Sequence, residues 1–138
     1  MIGFTYNTDF TILNEEKYRS WIAEGIDLFG HDLGEIQYFF YDDNDLLKIN
    51  QEHLQHNTYT DIISFDYSVG KLIAGDICIS VDRVKENAKI YSTEFEEEMA
   101  RVMCHGVLHF LGYKDKTEKQ KNIIREQEDL FVKILINK

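Results

Sequence analysis

The chain has 138 residues, of which 43% are hydrophobic and 29% are charged, and this length suits one domain that buries about two-thirds of its surface on folding. Its formal net charge of -10 is opposite to the basic charge expected of a protein that binds nucleic acid. It has neither an apolar run of the roughly 20 residues that span a membrane nor a signal peptide at its start, so we expect a cytoplasmic protein.

The first half of the chain predicts two strands and two helices. Residues 1–7 predict an edge strand, and Asn14 begins a helix whose apolar residues recur at helical spacing. Residues 35–41 are rich in aromatic and β-branched side chains and predict a second strand. The acidic cluster 42–45 then caps a short helix that runs to about residue 53.

The second half predicts a strand pair followed by helices. Residues 61–67 and 71–81 predict two strands close enough to pair, and helices begin near residues 81, 93 and 117. We therefore expect an α/β (α+β) fold in which a four-stranded mixed sheet packs against several helices. This prediction treats the whole chain as a single domain, with its most informative motif on a helix of the C-terminal half.

That motif places two histidines, His105 and His109, four residues apart on the helix predicted to begin near residue 93. Four residues turn an α-helix through about 400°, so both imidazoles lie on one face. Gly112 can end the helix in a left-handed conformation, and Asp115 then returns to the same point as a third ligand. Two nitrogens, one oxygen and an open position for water are typical of a catalytic zinc site. We predict one Zn²⁺ per chain at His105, His109 and Asp115, a ligand set that also suits other divalent metals.

The surroundings of the histidine pair favour a metal over two partly exposed side chains without one. Buried neutral histidines need partners for their ring nitrogens, and a metal ion is such a partner. The residues that make this helix apolar on most sides are Val102, Met103, Val107, Leu108, Phe110 and Leu111. The cysteines Cys78 and Cys104 lie in apolar segments without a Cys-x-x-Cys motif, so we expect reduced core residues.

The same spacing occurs in the zinc motif of the metzincin proteases, so a peptide substrate has to be considered. Those enzymes carry a glutamate directly after the first histidine, where it acts as the general base. In this chain that residue is Gly106, which cannot transfer a proton and which we expect to leave space near the metal. The sequence therefore disfavours proteolysis by that mechanism and leaves open a metal-dependent hydrolase of another substrate.

The segment 105–113, HGVLHFLGY, resembles the signature of the YbeY family of bacterial metal-dependent endoribonucleases. Asn50 followed by 60–65 (TDIISF), and then 75–80 (GDICIS), resemble two further blocks of that family in order and spacing. The resemblance implies a zinc-dependent, single-strand-specific endoribonuclease that matures the 3′ end of 16S ribosomal RNA and takes part in ribosome quality control. It implies single-stranded RNA, ribosomal RNA and the small ribosomal subunit as partners, with neither DNA nor a membrane among them. Whether water or the RNA 2′-hydroxyl attacks the phosphodiester stays open.

Three positions depart from the family pattern. Asp115 stands where the family usually has a third histidine, and it is an ordinary zinc ligand that makes the site about one charge unit more negative. Leu54 stands where the family usually has an arginine suited to clamp a phosphate, with His53 and His56 as nearby replacements. Asp66 replaces a proline. The missing arginine also makes a non-catalytic, ribosome-associated zinc protein a credible alternative.

Further candidates for the site come from the matching blocks and from the C-terminal charge. Asp61, Ser64 and Asp76 lie in those blocks and are candidates to line the site, although both aspartates also suit strand ends. Residues 114–138 carry 7 basic and 5 acidic side chains, against 8 and 20 in residues 1–113. The mouth of the site is therefore expected to be locally positive, with a solvated helix face as the alternative. The lysines nearest the motif are Lys114, Lys116, Lys119 and Lys121.

Overall fold

One mixed sheet forms the frame of the computed structural model, which describes residues 1–56 and 58–137. Its strands are β1 (Ile2–Tyr6), β2 (Asp32–Tyr41), β3 (Ile62–Asp66) and β4 (Leu72–Ser80), in the order β1-β2-β4-β3. β1 pairs with β2 and β2 with β4 in parallel, and β3 pairs with β4 in antiparallel. The four-stranded mixed sheet predicted from the sequence is confirmed.

Five helices accompany the sheet in the described part of the chain, and none of them combines the length and apolar character needed to cross a bilayer. They are α1 (Glu15–Leu28), α2 (Asp43–Leu54), α3 (Val81–Ile90), α4 (Phe95–Phe110) and α5 (Glu118–Ile136). Four of them begin where a polar side chain accepts a hydrogen bond from a first-turn backbone N–H, which compensates an unpaired donor. These N-cap residues are Asn14, Asp42, Ser80 and Thr117.

The motif helix α4 lies at the centre of the molecule. One face of the sheet, α1, α4 and α5 together enclose the main hydrophobic core. The fully buried Tyr38 of β2 donates its hydroxyl to the carbonyl of Met103 on α4 at 3.0 Å, and Trp21 of α1 donates Nε1 to the carbonyl of Phe131 on α5 at 2.6 Å. These polar contacts inside an apolar core fix the position of α4 against the sheet.

The opposite face of the sheet is covered in part by α2, where Leu46, Ile63 and Cys78 form a second, smaller cluster. Both cysteines are buried and unpaired, as predicted. Burial raises the pKa of the Cys104 thiol well above its ordinary value, so this residue stays a neutral core side chain.

Glycines let α4 approach the sheet closely. A Cβ atom at Gly106 would lie 2.9 Å from Cδ1 of Ile77 and 3.1 Å from Cδ1 of Ile62, so Gly106 faces β3 and β4. The expectation that this glycine leaves space near the metal is therefore wrong, because two isoleucine side chains fill the position. A glutamate in its place would start from the helix–sheet interface, which weakens the protease alternative further.

Replacing Gly75 of β4 by alanine should destabilise the protein by about 2 kcal/mol and lower its melting temperature by about 7 °C. The new Cβ would lie 2.4 Å from the backbone oxygen of Phe65 and 2.4 Å from Cζ of Phe110, and neither group can move freely. Gly3→Ala is the matched control, because its Cβ would meet only the mobile end of Gln37. Equal melting temperatures for the two variants in thermal unfolding would contradict this account.

Candidate metal centre

Helix α4 and the turn after it bring His105, His109 and Asp115 together. The Nε2 atoms of the two histidines are 3.0 Å apart, and Oδ2 of Asp115 lies 3.2 Å from Nε2 of His105 and 3.4 Å from Nε2 of His109. The three side chains are partly exposed, so their ligand atoms can be reached from solvent. We call these three side chains the triad.

The triangle formed by these atoms has the size of one face of a zinc coordination tetrahedron. Ligand atoms at zinc bond lengths and tetrahedral angles are about 3.4 Å apart. The triad distances of 3.0, 3.2 and 3.4 Å are close to that value and leave the fourth corner open toward solvent. Two imidazole nitrogens and one carboxylate oxygen are also a donor set that zinc accepts. The residues present therefore fit a metal ion of this kind.

The other ring nitrogen of each histidine already has an acceptor. Nδ1 of His105 lies 2.5 Å from Oε2 of Glu128, and Nδ1 of His109 lies 3.0 Å from the carbonyl oxygen of Tyr113. A neutral histidine that donates from Nδ1 presents a lone pair at Nε2. Both imidazoles are thus held in the tautomer and orientation that point Nε2 at a common cation.

The turn that returns Asp115 to α4 is built around Gly112. Its φ of +104° lies in the region that favours glycine, as the sequence predicted. The backbone N–H of Tyr113 donates to the carbonyl of Leu108 and that of Gly112 to the carbonyl of His109, both at 3.0 Å, which is the Schellman pattern. This turn places Asp115 next to the two histidines, and its Tyr113 carbonyl contacts the ring of His109.

Glu128 of α5 contacts His105 through Nδ1, the ring nitrogen that does not face the triad. It is only 6% exposed, and Nη1 of Arg101 lies 3.2 Å from its Oε1 and 2.8 Å from Oδ1 of Asp129. Burial lowers the pKa of His105, but the hydrogen bond and charge of Glu128, with the charges of Asp115 and Asp61, raise it above its ordinary value overall. This surplus of negative charge attracts a cation to the triad.

A cleft of about 260 Å³ opens beside His105 and Asp115. Asp61 forms part of its wall, and Asn87 donates from Nδ2 to Oδ2 of Asp61 at 3.2 Å. Burial raises the pKa of Asp61, although the charge of His105 opposes the rise. Arg125 of α5 lines the same cleft.

A second depression of about 380 Å³ borders the triad at His109 and Asp115. It is lined by His109, Asp115, Lys114 and Lys116, and so includes two of the four lysines expected at the mouth of the site. Asp115 borders both depressions. Both openings carry basic side chains, although the first is also lined by the carboxylates of Asp61, Glu98 and Glu128.

The structure separates the three residues that the sequence nominated as site lining. Asp61 lies in the cleft, and Ser64 pairs with Ile77 on the face of the sheet that α4 covers, although the cleft lining does not include it. Asp76 lies on the other face, in a groove with Phe39 and Tyr41 beneath α2. Asp76 is thus not brought to the triad, because consecutive strand residues point to opposite faces.

The residues around the family's arginine position lie away from the triad. His53 packs its ring against Phe65, 5.8 Å between centroids, and borders the same groove as Asp76. Leu54 is 44% exposed at the end of α2. Asn50 is buried and donates from Nδ2 to the carbonyl of Thr58 at 2.8 Å, which holds the segment that leads toward β3. His53, Leu54 and Asn50 therefore do not supply a phosphate ligand at the triad.

Sequence reasoning missed Glu128, Glu98 and Arg101, which surround the cleft. Each is a charged residue within an otherwise apolar helix face, and Glu98 and Glu128 are both buried. Burial raises the pKa of Glu98, with the charge of Arg101 opposing the rise. A charge at a buried helical position was the signal that could have found them.

Known proteins match the chain over almost its full length. The family model described as Endoribonuclease YbeY matches residues 4–135. The Endoribonuclease YbeY of Flavobacterium psychrophilum is 51% identical over 134 residues, which are 97% of this chain and 96% of the relative. That of Flavobacterium johnsoniae is 50% identical over 129 residues, or 94% and 93% of the two chains. A solution structure of a Thermotoga maritima protein shares the fold with a TM-score of 0.74 at 22% identity, covering 98% of this chain and 89% of that one. The chain therefore belongs to the Endoribonuclease YbeY family.

Proposed function

We propose that this protein is a zinc-dependent, single-strand-specific endoribonuclease that acts on ribosomal RNA in the cytoplasm. Membership of an endoribonuclease family supports the reaction class, and the triad supports dependence on a metal. The observation that carries the proposal is the triangle of two Nε2 atoms and one Oδ2 atom, 3.0 to 3.4 Å apart and open to solvent. A site held this way suits catalysis, since a structural zinc site is normally closed by four protein ligands.

In this proposal His105, His109 and Asp115 hold the ion, and Glu128 and the Tyr113 carbonyl keep the two imidazoles aimed at it. When bound, Zn²⁺ supplies Lewis acidity at a phosphoryl oxygen and makes water more acidic. A phosphodiester bound at the triad would border both the cleft and the second depression, because Asp115 lines the two.

Asp61 is the carboxylate that we assign as proton acceptor in the cleft. Burial raises the pKa of Asp61 toward neutral pH. A carboxylate whose pKa lies nearer the working pH is a more effective base. The side chain is oriented by Asn87, and no lysine or arginine among the described residues lies within ion-pair distance of it. Asp61 can take a proton from either nucleophile that the sequence leaves open, water or a 2′-hydroxyl.

Ribosomal RNA within the small subunit is the proposed substrate, with maturation of the 16S 3′ end and ribosome quality control as its settings. The family resemblance supports this choice, and the local basic charge at Lys114 and Lys116 is compatible with an RNA strand despite the net charge of -10. A strongly acidic protein gains little affinity for RNA by charge alone. We therefore expect the ribosome to contribute to docking.

Chelation should abolish cutting of an end-labelled single-stranded RNA, and Zn²⁺ should restore it, because the triad alone does not supply Lewis acidity. The assay places the single strand beside a duplex of the same sequence, an unstructured peptide and a small-subunit particle that carries precursor 16S RNA. Cutting of the peptide would favour the alternative hydrolase. If fully metallated protein cuts neither free RNA nor RNA in the particle, the nuclease proposal fails and the non-catalytic zinc protein takes its place.

A further inference from the structure

The cleft beside the triad contains an arginine that no described residue neutralises at close range. Arg125 is exposed on α5 and lines the same cleft as His105 and Asp115. It lies three residues before Glu128, so the two side chains project from the same face of the helix. Because Glu128 contacts His105 directly, that face is the one that α5 turns toward the triad.

The other three arginines of the chain are occupied by carboxylates. Arg19 pairs with Glu15 and Glu16, and Arg83 pairs with Asp43. Arg101 pairs with Glu128 and Asp129, as described above. Within residues 1–56 and 58–137, no carboxylate oxygen lies within 4.0 Å of the Arg125 guanidinium nitrogens. Glu98 lines the same cleft, and the charge of Arg125 partly opposes the rise that burial produces in the pKa of that carboxyl group.

Resting on the proposed function, we propose that Arg125 binds a backbone phosphate of the single-stranded RNA in the cleft and positions the strand at the triad. A guanidinium offers paired N–H donors that match two phosphate oxygens, and this bidentate contact both holds and orients a phosphodiester. Lys114 and Lys116 border the second depression, which shares Asp115 with the cleft. An RNA strand bound across the triad would thus meet Arg125 on one side of the scissile linkage and the two lysines on the other. Leu54 of α2 offers no contact of this kind.

Replacing Arg125 by alanine should raise KM for single-stranded RNA about tenfold and change kcat by less than about threefold. Binding is measured separately by fluorescence anisotropy, with metal-loaded protein and an uncleavable RNA that carries phosphorothioate linkages and 2′-O-methyl groups. The affinity should fall about tenfold, and the slope of log K against log salt should weaken by about 0.7, the contribution of one phosphate contact on a single strand. Arg125→Lys should retain the salt slope and lose about threefold in affinity, because it keeps the charge without the paired donors.

Lys133→Ala is the matched control, since it removes one positive charge from the same helix at a groove formed with Leu28 and Phe29. It should bind and cut RNA as the unchanged protein does. Metal content and melting temperature are recorded for every variant, and Arg125→Ala should retain both because its side chain is exposed. If Arg125→Ala and Lys133→Ala behave alike in KM, affinity and salt slope, the role of Arg125 is overturned while the nuclease remains. If the unchanged protein neither cuts nor binds RNA, the proposed function itself fails.

Discussion

Replacing His109 by alanine is expected to lower metal-dependent RNA cleavage by about three orders of magnitude while leaving the fold intact. The substitution removes one of the three proposed ligand atoms, and loss of several kcal/mol of Lewis-acid stabilisation corresponds to a rate loss of this size. The side chain is partly exposed, and its polar contacts within the described residues are to the triad and the Tyr113 carbonyl, so we expect little loss of core packing. Initial cleavage rates and zinc content per chain are the measurements.

His31→Ala is the matched control for this experiment. Its Nδ1 atom contacts the carbonyl of Phe29 at 2.8 Å, as that of His109 contacts Tyr113, but it lies outside the triad. The control should cut RNA normally. Asp115→Ala gives a second variant, which should also lose activity with a small change in melting temperature. A large drop in melting temperature for Asp115→Ala would mean that the metal is structural and would contradict the catalytic assignment.

Replacing Glu128 by glutamine should weaken metal binding 10- to 100-fold, the usual effect of removing the partner of a metal-binding histidine. Glutamine can still accept a hydrogen bond from Nδ1 of His105, but it lacks the negative charge that raises the basicity of the ring. Glu128→Ala should in addition destabilise the fold by about 3 kcal/mol, because the largely buried Arg101 loses a partner. Competitive zinc titration and thermal unfolding measure the two effects separately.

Asp129→Asn distinguishes this effect from a general loss of charge. Asp129 is the neighbour of Glu128, pairs with the same arginine at 2.8 Å and has a 59% exposed side chain. The change removes one negative charge and one Arg101 contact without touching His105. Its zinc affinity should stay within about twofold of the unchanged protein, and equal losses in both variants would contradict a positioning role for Glu128.

Local rules were enough to predict the secondary structure from the sequence. Asn14, Asp42 and Thr117 begin helices in the structure because each side chain accepts a first-turn N–H, which is a property of a few adjacent residues. The triad was predictable for the same reason. Its three side chains belong to one helix and one turn, and Gly112 adopts the positive φ that the turn requires.

Contacts between distant elements could not be predicted in this way. Glu128 is 23 residues from His105 in sequence, and only the packing of α5 against α4 brings them together. Its position among the buried residues Ile124, Phe131 and Val132 could have marked it as an unusual charge, but it could not have revealed its partner. Strand alternation puts Asp76 on the face opposite Ile77, but only the structure shows that Ile77 is the residue that faces α4.

The triad lies within residues 105–115, whereas the contact that supports His105 comes from Glu128, farther along the chain. The two parts of the site should therefore form at different stages of folding. Residues 105–115 close a short loop at little entropic cost, so the three ligand atoms can gather as soon as α4 and its Schellman turn have formed. The Glu128 contact forms only when α5 docks. If the triad binds a metal ion as proposed, we expect weak binding before α5 docks and tighter binding once Glu128 contacts His105. We therefore expect release of the ion to depend on local unfolding of α5, although the triad itself contains no residue of α5.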